Sequence, residues 1–144
     1  MMGHTGTHAI NATLYSDLKF DPIKDFAPVS PLISFNNILI VPRRQPRDVS
    51  QELVALAKSK PGGLSYGSQG VGTGGHLLGV LLAKQTGTTL VHVPYRGVAP
   101  AATDMVAGRL DMMFFSYITA KPHVDNGTLR MLAIAGSKRH PVIP

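Results

Sequence analysis

The chain has 144 residues, of which 44% are apolar and 15% are charged, proportions that suit a folded protein and argue against disorder. It contains no cysteine, which excludes disulfide frameworks, cysteine-ligated zinc and cysteine nucleophiles. No stretch reaches the roughly 18 apolar residues of a membrane span, and residues 1–11 lack the basic and apolar regions that would predict a signal peptide.

The formal net charge is +6, with Glu52 as the single glutamate, and this balance permits anionic partners. The basic residues form no stripe and few aromatic residues lie between them, so we expect no nucleic-acid partner. Arg43, Arg44 and Arg47 form one local cluster in a segment flanked by prolines. We interpret this cluster as a solvated face rather than a binding site.

Residues 1–37 are predicted to be irregular. They begin with a stretch rich in glycine, threonine and histidine, and continue through Pro22, Pro28 and Pro31. Each proline restricts its own backbone and that of the residue before it, which argues against a long helix in this part of the chain.

From Asn37 onward, short β-branched runs alternate with helical patterns. Asp48 or Ser50 is positioned to cap the first of these helices, and Gly87 is predicted to close the second at its C′ position. Pro122 is tolerable only near the first turn of the last helix. The predicted strands are residues 38–41, 64–67, 90–93, 111–115 and 129–135, and the predicted helices are residues 51–59, 76–85, 99–107 and 119–125.

Strands that alternate with helices at this spacing predict βαβ units and a parallel sheet, hence an α/β fold. Such sheets bind ligands beyond the carboxyl ends of their strands. We therefore expect the informative residues directly after the strands, from Ser68 onward, at residues 95–97 and at residues 116–117.

The strongest local signal is the glycine-rich loop of residues 68–75, which ends as a helix begins at His76. Glycines allow tight turns and bring backbone N–H groups close to a ligand. The start of the helix adds unpaired N–H donors and the positive end of its dipole, which together form an anion site. Ser68 and Thr73 add hydroxyl groups.

Three more specific interpretations of the loop each lack a residue that they require. Gly70, Gly72 and Gly75 match the dinucleotide pattern G-x-G-x-x-G, but no carboxylate lies ~20 positions further on. A phosphate-binding P-loop requires lysine where His76 stands. A hydrolase elbow requires glycine two residues before the serine, where this chain has Tyr66. A tight turn that binds nothing remains an alternative.

The titratable residues do not form a catalytic or metal-binding pattern. The six histidines show no H-x-x-x-H spacing on a helix, so we expect no metal ligand among them. His92 is predicted to pack in its strand, whereas His76 is predicted to serve either the loop or a ligand. Asp104 and Asp111 are predicted to lie on different elements, Asp111 at the edge of the sheet opposite the ligand, and therefore not to form an acid–base pair. We expect no catalytic residue and no cofactor.

Four longer phrases of the sequence resemble the substrate-binding proteins of tripartite tricarboxylate transporters, also called Bug-type solute receptors. These phrases are GTHAIN, YGSQGVGTGGHL, VHVPYRGVAPAATDMVAGRLDMMF and PHVDNGTLRMLAI. The resemblance covers nearly the whole chain, in the order and spacing of the family.

The resemblance implies a lobe of the type II periplasmic-binding architecture, with a mainly parallel sheet flanked by helices. Members of the family have two lobes and roughly twice this length, so the chain is expected to be a fragment. Residues 1–37 then correspond to part of the first lobe, residues 38–136 to the second lobe, and residues 137–144 to the return toward the first lobe. It also implies a periplasmic protein, although the sequence shows no signal peptide.

The resemblance further implies a small carboxylate or amino-acid ligand, held between the lobes and delivered to membrane permease subunits. By resemblance, the ligand-binding residues are Thr5, Thr7, His8, Ser68, Gly70, Gly72, Thr73, Gly74 and His76. The sequence departs from the family at Gly75, where many members carry a side chain, and at Val80, which replaces an acidic residue.

Two other interpretations remain open from the sequence alone. One is a small α/β nucleotide-binding enzyme that uses the G-x-G-x-x-G loop, and the other is a truncated product without function. If residues 1–37 lack the rest of their lobe, their apolar side chains remain exposed, and self-association through this segment is expected.

Overall fold

The computed structural model describes residues 2–44 and 49–138, apart from the side chains of Val49 and Ser50. Five strands form one sheet: β1 (Asn37–Pro42), β2 (Leu64–Ser68), β3 (Leu90–Pro94), β4 (Met112–Ser116) and β5 (Leu129–Ile134). The helices are α1 (Asn11–Leu14), α2 (Val49–Ser59), α3 (Gly74–Thr86), α4 (Val98–Val106) and α5 (Tyr117–Asp125). The sequence predicted every strand and the last four helices, with bounds that differ by one or two residues.

The spatial order of the strands is β3-β2-β4-β1-β5. β2 pairs in parallel with both β3 and β4, whereas β1 is antiparallel to both β4 and β5. Four strands therefore run in one direction, and the prediction of a mainly parallel sheet is correct. The predicted pattern of βαβ units does not hold for β1, because α2 leads from β1 to β2, which is not its neighbour and runs the other way.

The core lies on both faces of the sheet, because successive side chains of a strand point to opposite sides. Ile38, Ile40, Met113 and Phe115 face one side with α4 and α5. On the other side the strand residues pack against α2 and α3, and the buried set is Leu39, Val41, Leu53, Ala57, Leu64, Tyr66, Met112 and Phe114. All buried apolar side chains of the described residues fall between Ile38 and Leu129.

The amino-terminal segment is helical where the sequence predicted irregular structure. A π-helical turn at Gly6–Ile10 continues directly into α1, which ends where Tyr15 adopts an extended backbone. The prolines that argued against a helix begin only at Pro22, so they do not affect these residues. From residue 15 to residue 36 the chain contains turns, bends and irregular backbone, as predicted.

The predicted end of α3 is confirmed, but the position of Pro122 within α5 differs from the prediction. Gly87 closes α3 in the left-handed conformation, with a φ of 62°. Pro122 is the sixth residue of α5, deeper than predicted, because the helix begins at Tyr117 rather than Thr119. The caps predicted for α2 at Asp48 and Ser50 lie outside the described residues and side chains. Among the described helices, none is both long and apolar enough to cross a membrane.

Candidate functional site

The carboxyl edge of the sheet gathers the chain segments that the sequence singled out. Ser68 ends β2, Ser116 ends β4, and Tyr95 follows β3. Asn37 joins this edge as well, because the antiparallel β1 begins where β4 ends and pairs Asn37 with Ser116. Sequence reasoning missed Asn37; its only signal was a polar residue directly before a buried β-branched run.

Ser68 is fully buried, and its hydroxyl group faces the interior of the loop. Its Oγ lies 2.7 Å from Nε2 of His92 and 3.1 Å from the carbonyl oxygen of Gly70. The Ser68 Oγ atom also accepts a hydrogen bond of 3.1 Å from the Gly70 N–H. Ser68 thus joins β2 to the loop, rather than offering a free hydroxyl group at the edge of the sheet.

The glycine-rich loop turns through positive φ angles at Gly70 and Gly72, 133° and 79° respectively. Thr73 closes the turn: its hydroxyl group donates to the Gly70 carbonyl oxygen at 2.7 Å, and its N–H donates to the same oxygen at 3.3 Å. The carbonyl oxygen of Gly70 is therefore engaged by hydrogen bonds within the loop.

The first turn of α3 is not capped by a side chain. Thr73 occupies the N-cap position with an extended backbone, but its side chain makes no capping hydrogen bond. The N–H groups of Gly74, Gly75 and His76 lie in this turn, where helix geometry provides no intrahelical acceptor. They mark the positive end of a 13-residue helix at the carboxyl edge of the sheet.

Two glycines of α3 allow the helix to approach the sheet closely. A Cβ atom on Gly75 would lie 2.7 Å from the carbonyl oxygen of Phe114, and one on Gly79 would lie 2.1 Å from the ring of Tyr66. The absence of a side chain at position 75 is therefore a packing requirement in this chain. Val80 is exposed, so its replacement of an acidic residue changes the surface of α3.

His76, His92 and Tyr66 form a stack behind the loop. The ring centroids of His76 and His92 are 4.3 Å apart, and those of His92 and Tyr66 are 4.9 Å apart. Nδ1 of His76 accepts a hydrogen bond of 3.3 Å from the Gly72 N–H, so His76 supports the loop. Burial lowers the pKa of His92, and the neighbouring His76 lowers it further. The prediction that His92 packs within its strand is correct.

The amino-terminal residues implied by the resemblance come close to the loop. A Cβ atom on Gly72 would lie 2.7 Å from a methyl group of Leu14, and one on Gly6 would lie 3.5 Å from the Gly72 carbonyl oxygen. The Thr7 hydroxyl oxygen lies 2.8 Å from Nδ1 of His8. Thr5 is exposed at the start of the π-helical turn, with no capping bond from its side chain.

The His8 ring also packs against Phe26, with centroids 4.7 Å apart, and Phe26 in turn packs against Phe20. These contacts within the amino-terminal segment keep the His8 ring close to Thr7. The fold thus brings the two predicted groups of site residues, 5–8 and 68–76, onto neighbouring segments.

Asp104 and Asp111 have separate partners. Asp104 accepts hydrogen bonds of 2.7 Å from both the Tyr95 hydroxyl group and Arg109, and hydrogen bonds from these two residues lower its pKa. Asp111 precedes β4, at the opposite edge of the sheet, and accepts from Lys60 and from Ser65. Burial would raise the pKa of Asp111, but these hydrogen bonds outweigh it and lower the pKa. Asp104 and Asp111 are therefore separated, as predicted, and do not form an acid–base pair.

Arg43 and Arg44 are exposed, as predicted, but both contact backbone carbonyl groups. Arg43 donates to Gly127 after α5, and Arg44 donates to Gly108 after α4. Cations at these positions complement the negative ends of the helix dipoles. Arg47, the third residue of the predicted cluster, lies outside the described residues.

A groove of about 280 Å³ adjoins the first turn of α3. Its lining is mostly apolar. The residues come from α3, from the beginning of β1 and the chain just before it, and from the chain just after β5. The lining residues are Phe35, Asn36, Asn37, Gly74, Leu77, Leu78, Leu81 and Ala135.

Comparison with known proteins identifies one matching family and several close structures. The family described as tripartite tricarboxylate transporter family receptor matches residues 1–144. A UPF0065 protein from the tcbD-tcbE intergenic region of Pseudomonas sp. (strain P51) is 38% identical over 136 residues, which are 94% of this chain and 40% of that protein. The chain therefore spans less than half the length of this curated relative.

Solved structures agree with this match. A protein from R. palustris, solved with adipate, has a TM-score of 0.87 and 33% identity, with 94% of this chain and 45% of that chain covered. MatC from Rhodopseudomonas palustris with bound malate has a TM-score of 0.87 and 29% identity, with 99% and 49% covered. A structure described as a periplasmic transporter has a TM-score of 0.84 and 36% identity, with 95% and 46% covered. The predicted α/β periplasmic-binding fold is confirmed.

Proposed function

Because this chain belongs to the tripartite tricarboxylate transporter receptor family, we propose that it is a solute-binding part of such a receptor and that it captures a small carboxylate at its glycine-rich loop. Two solved relatives support a carboxylate ligand, since one contains adipate and the other contains malate. No covalent chemistry is part of this function.

The observation that carries the proposal is the uncapped start of α3. Backbone N–H groups at a helix N-terminus bind anions because they are unpaired and coincide with the positive end of the dipole. In this chain the Thr73 side chain leaves these groups free and bonds to Gly70 instead. A carboxylate beyond the carboxyl edge of the sheet is an acceptor of the right charge for them.

The site residues in and around the loop then have three roles. Gly74 presents an N–H group to the carboxylate, while Gly70, Gly72 and Thr73 shape the turn that leaves it accessible. Ser68 and His76 hold that turn from behind, through the bonds from Ser68 to Gly70 and from Gly72 to His76.

Thr5, Thr7 and His8 belong to the facing segment and supply contacts from the other side of the ligand. Residues 1–37 then represent part of one lobe, residues 38–136 the other lobe, and residues 137–144 the return between them. Ligand binding draws two such lobes together about a hinge. The proximity of Leu14 to Gly72 supports an arrangement in which the two groups of site residues share one ligand.

Two observations argue against the alternative of a small enzyme. The Ser68–His92 pair has the spacing of a nucleophile and its base, but Ser68 is fully buried, and a substrate could not reach its hydroxyl group. The family is a receptor family, which also argues against a nucleotide-dependent enzyme.

The location and partners follow from the family. The family description as a transporter receptor supports delivery of the ligand to permease subunits, and a relative described as a periplasmic transporter supports a periplasmic location. We therefore place the chain in the periplasm, with membrane permease subunits as its protein partners.

A substitution at Gly74 tests the proposal directly. Gly74 is the first residue of α3, a position where proline is compatible with a helix, and the extended backbone of Thr73 suits a residue that precedes proline. Gly74→Pro removes one N–H donor, whereas Gly74→Ala adds a Cβ atom and keeps the donor. Loss of a hydrogen bond to a charged group corresponds to about 1.5–3 kcal/mol, or roughly 10- to 150-fold in affinity.

Binding of adipate to the 144-residue chain would be followed by NMR titration of the loop amides. A Cβ atom at position 74 would lie 3.2 Å from the side-chain nitrogen of Asn37, and both variants carry it. We therefore expect Gly74→Pro to bind more weakly than Gly74→Ala by this factor. Equal affinity of the proline and alanine variants would contradict the role of the Gly74 N–H group. The absence of any carboxylate response in the unmodified chain would contradict the proposed function itself.

A further inference from the structure

The groove beside α3 adds a specificity element to the carboxylate site. We propose that this groove binds the hydrocarbon part of the ligand, so that the chain selects carboxylates that carry an apolar chain of several carbons. This inference rests on the proposed function, because the groove is taken to begin where the carboxylate is held.

The groove has an apolar wall that faces solvent. Leu77 and Leu81 lie one turn apart on α3 and are 39% and 47% exposed, and Phe35 opposite them is 57% exposed. Leu78 and Ala135 complete the apolar lining. Exposed apolar residues that line one concave surface indicate a binding site more strongly than the same residues scattered singly.

The groove also has a polar end, and this end coincides with the anion site. Gly74 lines the groove and is the first residue of α3. The side-chain amide nitrogen of Asn37 lies 3.2 Å from the position that a Cβ atom on Gly74 would occupy. Within residues 2–44 and 49–138, no hydrogen bond engages the side-chain amide group of Asn37. A hydrogen-bond donor at the N-terminus of α3 is thus available beside the apolar wall.

This arrangement fits one kind of molecule. A carboxylate bound at the Gly74 N–H group and the Asn37 amide would direct its remaining carbons along Leu77 and Leu81. The volume of about 280 Å³ is close to the lower end of small-molecule pockets. The occupant is therefore a short aliphatic or similarly compact apolar chain, and a small, highly hydroxylated acid would leave the wall exposed to water.

Acetate and hexanoate provide the test, since both carry one carboxylate and differ by four methylene groups. A fully buried methylene contributes about fourfold in affinity. Because the groove is open, we expect hexanoate to bind the 144-residue chain about tenfold or more tightly than acetate, measured by NMR titration. Leu77→Asn should reduce this preference to about threefold or less and leave the affinity for acetate within about twofold.

Val106→Asn is the matched control, because Val106 is an exposed apolar residue at the far end of α4 and outside the groove. It should leave the preference for hexanoate unchanged. Circular dichroism melting of both variants would show whether they remain folded. If Leu77→Asn does not fold, Leu81→Asn takes its place in the test.

The outcomes separate the two proposals. Equal affinity for acetate and hexanoate, or a preference that persists in the folded Leu77→Asn and Leu81→Asn variants, overturns the groove assignment and leaves the carboxylate site standing. No binding of either acid overturns both the site and the groove.

Discussion

The buried Oγ of Ser68 lies 2.7 Å from Nε2 of His92, and this contact connects the end of β2 to β3 directly beneath the glycine-rich loop. The same hydroxyl group also contacts both the N–H and the carbonyl group of Gly70. A single buried oxygen therefore links two strands and the loop that follows one of them.

Substitution of Ser68 should destabilise the protein. Ser68→Ala leaves the Gly70 N–H and the His92 ring without their partner, and an unsatisfied buried polar group costs about 1–3 kcal/mol. Urea unfolding would measure this loss of unfolding free energy. Ser59→Ala is the control, since the Ser59 hydroxyl group is exposed and bonds only to the Leu56 carbonyl, and it should cost less than about 0.5 kcal/mol. Equal effects of the two substitutions would contradict the structural role of Ser68.

Gly72 is expected to be sensitive to any side chain. A Cβ atom at this position would meet Leu14 at 2.7 Å, in a backbone with a φ of 79° that already disfavours one. Gly72→Ala should therefore displace the amino-terminal segment from the loop and weaken adipate binding, by roughly tenfold if one hydrogen bond to the carboxylate is lost.

Gly62→Ala is a close control for Gly72→Ala, because Gly62 has a similar φ of 82° but no atom within 4 Å of an added Cβ. It carries the same kind of backbone strain without the collision, in the turn between α2 and β2. Fluorescence or NMR titration of both variants would compare their affinities. If Gly62→Ala weakens binding as much as Gly72→Ala does, backbone strain rather than the contact with Leu14 explains the effect.

The stability of the protein should depend on pH through His92. Burial, together with the nearby His76, lowers the pKa of His92 below its usual 6.5. Between this usual pKa and the lower pKa of the folded state, the unfolded chain therefore binds more protons than the folded chain. The stabilisation from neutral His92 is complete above about pH 6.5 and is lost as the pH falls toward the pKa of the folded state.

Urea unfolding between pH 5 and pH 8 would measure this dependence. His92→Phe should reduce the decrease in unfolding free energy at low pH, since phenylalanine retains a ring between His76 and Tyr66 but does not titrate. His123→Gln, outside the stack, provides the comparison. An unchanged pH dependence in His92→Phe would assign the effect to other groups.

The amino-terminal segment is expected to promote self-association. Ile23, Val29 and Leu32 are 83%, 98% and 78% exposed, although each is a large apolar residue. Burying such a side chain contributes about 1.5–3 kcal/mol, which favours contact with a second molecule. Sedimentation velocity should show an increasing average mass with concentration, and Ile23→Ser combined with Leu32→Ser should reduce it. A monomer at all concentrations would contradict this expectation.

Much of the fold could be predicted from local patterns. Short apolar and β-branched runs marked the five strands, and Gly87 marked the end of α3 because glycine adopts the left-handed backbone there readily. The two helical turns before Leu14 were missed, since they contain no strong helix signal and precede the prolines that characterise the segment. The loop of residues 68–76 was recognised by its glycines and by the helix that follows it.

The position and chemistry of individual side chains depended on the tertiary structure. Residue patterns specify which faces of a strand are buried but not its direction, so the sequence could not reveal that β1 is antiparallel and brings Asn37 to Ser116. Nor could it reveal that the Ser68 hydroxyl group turns inward, because its partner His92 is 24 residues away in the chain and becomes adjacent only when β2 pairs with β3. The sequence alone determined the class of fold and the place of the glycine-rich loop, since both arise from local backbone chemistry, and only the packed sheet decided which polar groups of the loop bond to one another.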